Sequence, residues 1–302
     1  MKDKLPNFLI VGAAKCGTSS LHNYLNQHQD VFMPTYTPNG LKVKEPRFLI
    51  ADKVRGRLSK GVWNYEDYRS LFTDVVTEKA IGESTVLYLY YFEEAIKNIK
   101  RFLGKEVKII IMLRNPIERA YSAYLFASKT MQENQSFEEA INNSEQRFKE
   151  DMSLSPMILY KEMGLYYEMV KAYKANFNNI HIILYDDFVT QTNQEVDKVF
   201  EFLNLNKQEI DTNKIVNSGG MKWDSKIIKY LLMGEGSYRF ALKKIIPKSF
   251  RMKIKRILIS IFTSKSDNIK QSTYLELSKY FQKDISMLES LINKDLSKWL
   301  KI

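Results

Sequence analysis

Lys15 stands in a stretch, FLIVGAAKCGTSSLHNYL from Phe8 to Leu25, whose residue types and spacing suit the binding of a phosphate. The apolar run into Gly12 predicts a buried parallel strand and LHNYL predicts a helix, with a tight turn between them. Gly12 and Gly17 open backbone conformations closed to other residues, so successive N–H groups can converge on one point. That point is the positive end of a helix, where a phosphate is stabilised. Lys15 adds a movable charge, and Thr18, Ser19 and Ser20 add hydroxyl donors at the helix start. In a nucleoside triphosphatase loop the lysine directly follows the second glycine and reaches the β and γ phosphates. Here Thr18 fills that place and the lysine precedes Gly17, so it is aimed differently, which argues against a kinase or ATPase. Glycine-rich strand-to-helix turns also occur without a ligand, and the surroundings have to decide.

A second set of chemical residues lies further on. Lys44, Glu45, Pro46 and Arg47 stand together, and Pro46 biases Glu45 toward an extended conformation from which its carboxylate can project. A surface salt-bridge cluster is the alternative use of those charges. KIIIMLR, Lys108 to Arg114, predicts a buried strand closed by an arginine, and Pro116 is placed to begin a helix, IERAYSAYLF. Arg114 and Ser122 could both address an anion there, and Arg119 is either a further member of that set or, as is commoner for an arginine within a helix, a partner for Glu118 or a surface charge. NSGGMKW, Asn217 to Trp223, is a glycine loop with a lysine and an indole, suited to closing over a nucleotide.

The elements that must position these residues alternate between strand and helix. AIGEST, Ala80 to Thr85, predicts a strand with polar residues at the end where ligands bind in an open α/β sheet. WNYEDYRSLFT predicts a short helix, Ser136 to about Glu150 a polar helix, and Met157 to Phe177 includes an amphipathic helix after Gly164. NIHIILYDDF, Asn179 to Phe188, predicts another buried strand, followed by a helix through EVDKVFEFLNL. This order implies an α/β fold with a parallel sheet and right-handed crossovers. Beyond Leu205 the character changes, and STYLELSKYFQKDISMLESLINKDLSKWL predicts an amphipathic helix pair that packs back onto the sheet. The expected organisation is a single domain over 1–302, with 1–205 as the α/β core and 206–302 as closing loop, basic segment and C-terminal helices. Tyr88, Tyr90 and Tyr91 could line an acceptor cleft or pack as core, and Trp63, Tyr65 and Tyr88 could stack on sugars.

Composition bounds the function. The net charge is +11, so anionic partners are expected. Between Glu235 and Asp267 there is no acidic residue and there are nine basic ones, Arg239, Lys243, Lys244, Lys248, Arg251, Lys253, Lys255, Arg256 and Lys265. The remaining charge is nearly balanced, which argues against nucleic acid as a partner. The segment 239–265 reads as a solvated helical face or mobile lid, with peripheral contact to a membrane surface or an anionic acceptor as the functional reading. Cys16 is the only cysteine and His22, His28 and His181 are scattered, so no metal site is expected. The apolar run from Phe8 to Ala14 is only seven residues and fails as a signal peptide. No other run approaches the roughly 20 residues needed to span a bilayer, so a cytoplasmic protein is expected, with a place at the inner face of the membrane as the variant.

With these pieces together, the sequence resembles the sulfotransferases that use 3′-phosphoadenosine 5′-phosphosulfate (PAPS), particularly bacterial members similar to the heparan-sulfate-modifying carbohydrate branch. FLIVGAAKCGTSSLHNYL looks like the family's 5′-phosphosulfate loop, LRNPIERAYSAY like its 3′-phosphate motif, KEPRFL like the segment carrying a catalytic glutamate, and DLSKWL like a common bacterial ending. The resemblance implies a three-layer fold like that of P-loop NTPases, with a central parallel sheet flanked by helices and a helical C-terminal region. It implies that Lys15, Cys16, Gly17, Thr18, Ser19 and Ser20 hold the 5′ phosphosulfate and that Arg114 and Ser122 hold the 3′ phosphate. Glu45 would be the general base, Lys15 would also neutralise the leaving group, and Gly219, Gly220 and Lys222 would close over the nucleotide. PAPS would be the donor, adenosine 3′,5′-bisphosphate (PAP) the product, and a carbohydrate hydroxyl or amine the acceptor, without a metal. The chain departs from several animal relatives at Ser84, where they carry a lysine, and Lys44 or Lys222 would have to substitute. A P-loop kinase or NTPase, and a non-catalytic nucleotide-binding protein at a membrane surface, are the competing readings.

Overall fold

A computed structural model describes residues 4–34, 44–130, 132–213, 221–225, 228, 254, 257–259 and 261–301. Gly219 and Gly220, the side chain of Lys222, and most of the basic segment 239–265 lie outside the described residues. The apolar runs form the strands β1 (Phe8–Gly12), β2 (Val31–Phe32), β3 (Ala80–Ser84), β4 (Lys108–Leu113) and β5 (Ile180–Leu184). They make one sheet in the order β2-β3-β1-β4-β5, and each pairing is parallel. Phe8 to Val11 of β1 and Ile109 to Leu113 of β4 are fully buried, as expected of central strands covered on both faces by helices. The chain leaves β1 toward β3 on one side and β4 on the other, which creates a topological switch point at the C-terminal end of β1.

The helices whose full extent lies among the described residues are α1 (Thr18–Leu25), α2 (Ala51–Val54), α3 (Tyr65–Ser70), α4 (Phe92–Phe102), α5 (Pro116–Lys129), α6 (Phe137–Glu150), α7 (Tyr166–Asn176), α8 (Tyr185–Thr190), α9 (Thr192–Phe202) and α10 (Gln271–Ile292). Their ends obey local chemistry. Asn115 caps α5 by accepting from the Ile117 N–H, with Pro116 in the first turn, and Ser136 with Glu139 forms a reciprocal capping box on α6. The start of α7 has no local cap; Asp284, from α10, accepts from Tyr166 N at 2.8 Å and Tyr167 N at 3.2 Å instead. The chain end supports α5 in the same manner, since Asn115 Nδ2 donates to the Trp299 carbonyl at 3.1 Å and the Trp299 ring is buried.

Three sequence expectations need correcting. The strand expected over Asn179 to Phe188 stops at Leu184, where pairing with Leu113 ends; Asp186 and Asp187 favour the first turn of α8. The connection after α1, whose prolines and glycine (Pro34, Pro38, Gly40) predict only turns, begins with a two-residue edge strand, Val31–Phe32, too short to show an alternating pattern. The C-terminal helix pair is one helix, uninterrupted by Gly or Pro, that ends at Asn293 with φ 52° and is followed by a 3-10 turn at Ser297–Leu300. A small antiparallel pair, β6 (Met221–Trp223) with β7 (Thr263–Lys265), stands apart from the main sheet.

Candidate functional site

The loop after β1 is shaped by backbone conformations that few residues tolerate. Gly12 has φ 155°, and a Cβ there would lie 2.6 Å from the Leu89 Cβ and 2.9 Å from the Val86 carbonyl oxygen. Gly17, at the N-cap of α1, is left-handed with φ 87°, and Lys15 is left-handed with φ 71° although it carries a side chain. Gly17 supplies the first carbonyl of α1, accepting from Ser20 N and Leu21 N, which leaves the N–H groups of Thr18 and Ser19 at the open helix end. The Cys16 side chain turns the other way. Its thiol is fully buried, 3.7 Å from the Ala14 carbonyl and 4.0 Å from the Tyr166 hydroxyl, and burial pushes its pKa up to about 11. Only the main chain of Cys16 is left to address a ligand.

A cleft of about 600 Å³ opens at this switch point, over the C-terminal ends of β1, β3, β4 and β5. Its walls bring together Lys15, Gly17, Thr18, Ser19, Ser20, Glu45, Arg114 and Ser122, which lie on separate elements. Arg114 follows β4 and donates through Nε and Nη2 to Glu118 Oε2 at 3.0 and 2.8 Å, while its guanidinium lies 4.4 Å from the Tyr185 ring centroid. Burial alone would lower the Arg114 pKa, but the Glu118 carboxylate outweighs it and the net shift is upward. Burial, followed by the charge of Arg114, lowers Lys15 to about 8.

Arg119 is neither a partner of Glu118 nor a surface charge. Its side chain is fully buried, with Nη2 donating to the Tyr160 carbonyl and Nε and Nη1 without partners among the described residues. Burial lowers its pKa, yet a guanidinium keeps its proton, so a positive charge lies below the phosphate loop. The signal for this was present in sequence: Pro116, Ala120, Ala123 and Ala127 mark the buried stripe of α5, and Arg119 falls on it.

On the opposite wall Glu45 is one-fifth exposed, 3.6 Å from Lys44 Nζ and 3.3 Å from Arg47 Nη2. It is therefore both a member of a charge cluster and a lining group of the cleft. Arg47 is left-handed with φ 62° and its N–H donates to Thr85 Oγ1 at 3.3 Å, which ties the Glu45 segment to the end of β3. Glu83 and Ser84 are fully buried there. Burial raises Glu83 to about 8, reinforced by the charge of Glu45, so Glu83 is mainly neutral at pH 7. Ser84, beside it, brings no charge to the end of β3.

Of the two uses open to the aromatic residues, packing is the one seen. Tyr88 is core, its hydroxyl accepting from Leu49 N at 3.3 Å, and Tyr90 and Tyr91 pack on each other at 4.9 Å. Tyr65 stacks on Phe102 and lies tilted against Phe48, and Trp63 packs against the core, so none of these lines the cleft. The aromatic walls come from Tyr24, Phe126, Tyr185 and Phe188, together with the polar Thr212 and Asn213. These escaped the sequence reading because they sit on helices and a late loop that only folding brings to the switch point. Among the described residues no group of three His, Cys, Asp or Glu could hold a metal, and no helix is long and apolar enough to cross a membrane.

Comparison with known proteins agrees with this architecture. Residues 5–219 match the sulfotransferase domain family. A solved sulfotransferase from Alicyclobacillus acidocaldarius superposes with a TM-score of 0.72 at 27% identity, covering 98% of this chain and 99% of that one. Carbohydrate sulfotransferase 15 of Rattus norvegicus is 24% identical over 253 residues, 67% of this chain and 44% of its own length. The human bifunctional heparan sulfate N-deacetylase/N-sulfotransferase 2 is 31% identical over 122 residues, 40% of this chain and 13% of its own. The chain thus spans less than half the length of these curated relatives. By the match over residues 5–219 and the fold that accompanies it, the chain belongs to the sulfotransferase domain family.

Proposed function

We propose that the protein transfers a sulfuryl group from PAPS to a hydroxyl or amine of a carbohydrate acceptor. The observation that carries this reading is that one cleft brings together two cations from different strand ends, Lys15 after β1 and Arg114 after β4, and one carboxylate, Glu45, with Arg47 beside it. A donor phosphorylated at both ends needs two anion sites. The loop Lys15 to Ser20, at the positive end of α1, fits the 5′ phosphosulfate, and Arg114 with Ser122 fits the 3′ phosphate. Glu118, 46% exposed, pairs with Arg114 and can rotate into water as the phosphate takes its place. Gly219, Gly220 and Lys222 complete the nucleotide site in this reading.

The chemistry follows from the wall arrangement. As the new bond from the acceptor oxygen to sulfur forms, the bond from sulfur to the bridging phosphate oxygen breaks. Glu45 takes the acceptor's proton, and Lys15 stabilises the charge that grows on the departing phosphate. Lys44 and Arg47 each pair with one oxygen of the Glu45 carboxylate and hold it in place. Glu83, mainly neutral, adds little repulsion beside it. The names of the relatives, which include carbohydrate and heparan sulfate sulfotransferases, support a sugar as acceptor.

The test is transfer itself. Incubation with sulfur-35-labelled PAPS and a panel of glycans, lipids and phenols is expected to move label onto a glycan. Label that appears only on lipid or phenol removes the carbohydrate acceptor, and label on no acceptor of any class counts against the transfer.

A further inference from the structure

In the cleft, Lys15 Nζ lies 4.5 Å from the centroid of the Phe126 ring. Phe126 is one helical turn beyond Ser122 on α5, lines the same cleft and is 43% exposed. The charges around Lys15 are of its own sign: Arg114, Lys129 and Arg119 all disfavour its proton. The one opposing influence is the Cys16 thiol, which burial holds at about 11 and therefore neutral at pH 7. Among the described residues no carboxylate pairs with Lys15, so the ring face is the group that favours its ammonium.

We propose that Phe126 is a positioning residue, the resting seat that holds Lys15 as an ammonium in the donor-free cleft and releases it to the donor's bridging oxygen. The proposal rests on the PAPS reading of the loop. A neutral ring suits the task better than a carboxylate. An acid beside Lys15 would cancel the positive potential that attracts the donor and would have to be displaced from a charge pair. The ring favours the ammonium through its quadrupole, leaves the net charge of the site unchanged and is given up at small cost. The left-handed backbone of Lys15 and its place before Gly17 fix where the side chain starts; α5 supplies where it rests.

Two readouts test this. In nucleotide-free protein, the pH dependence of Lys15 acetylation, followed by peptide mass spectrometry, gives its titration midpoint. Phe126→Leu keeps an apolar side chain but no ring, and the midpoint is expected to fall by about half a pH unit, a threefold loss of proton affinity, while Phe126→Tyr keeps the wild-type midpoint. Calorimetry with PAP gives the second readout. Since Phe126→Leu has no seat to leave, its affinity relative to wild type is expected to be about threefold higher at pH 6.5 than at pH 9.5, where both forms are deprotonated at rest. A ring that only packs would give a pH-independent ratio and an unmoved midpoint, and that result overturns the proposal. The labelling uses no nucleotide, so it decides the ring contact by itself; wild-type protein that fails to bind PAP would bring down the donor reading separately.

Discussion

Glu45→Gln is expected to lower sulfuryl transfer by about 10²- to 10⁴-fold, the range a positioned general base supplies, while PAP binds as tightly as before or slightly more tightly. The amide matches the carboxylate in size, so the wall of the cleft is kept. It cannot take a proton, so the acceptor must attack as the free hydroxyl or amine. The affinity for PAP has reason to rise, because Glu45 is the acidic group among the residues that line the cleft, and its loss leaves Lys44 and Arg47 uncompensated. A steady-state assay with labelled donor, combined with PAP calorimetry on the same preparation, separates the two effects. Wild-type turnover in Glu45→Gln would remove the residue from the role of base, and a parallel loss of PAP binding would show instead that the charge cluster organises the donor site.

Lys15→Met is expected to fail at both stages. Removing the ammonium takes away a cation that meets the donor in the ground state and meets more charge in the transition state. A loss of about 10²- to 10³-fold in kcat is therefore expected beside weaker PAP binding. The pH dependence identifies the group. Lys15 is lowered to about 8, by burial first and by Arg114 next, and the donor favours its charged form. PAP affinity should then be flat below pH 8 and fall by up to tenfold per unit above it. Lys15→Met should abolish that fall. Glu83, raised to about 8 by burial, titrates in the same window, and Glu83→Gln distinguishes the two: the fall persists in that variant if Lys15 is responsible. An unchanged fall in Lys15→Met assigns it elsewhere and removes Lys15 from the phosphosulfate site.

The parts of this site that were legible in sequence are those in which local chemistry and global fold coincide. The phosphate loop could be read because strand, glycines, lysine and helix start are contiguous between Phe8 and Leu25. Arg114 and Ser122 could be read because a buried strand ends where a Pro-initiated helix begins. Arg119 is hard to read because its charge points to solvent while its place on the buried stripe of α5 points inward, and the stripe prevails. For Tyr88 the core alternative holds, while Trp63 and Tyr65, readable as sugar-stacking rings by their type, are half-buried against the core, Tyr65 beside Phe48 and Phe102. The contact between Lys15 and Phe126 joins residues 111 positions apart on two elements, and nothing in either local sequence announces it. The end of β5 was overextended because YDDF continues an apolar run in composition, while its acidic residues belong to a helix start.

The most direct measurement of the central claim is titration calorimetry of the protein with PAP, AMP and ATP in the presence of EDTA. The account predicts that PAP binds without metal and that AMP, which lacks the 3′ phosphate, binds roughly ten- to a hundredfold more weakly, the effect of losing charge-assisted contacts worth about 1.5–3 kcal/mol at Arg114 and Ser122. Binding of ATP more tightly than PAP, or equal binding of PAP and AMP, would contradict a site built for a nucleotide phosphorylated at both ends.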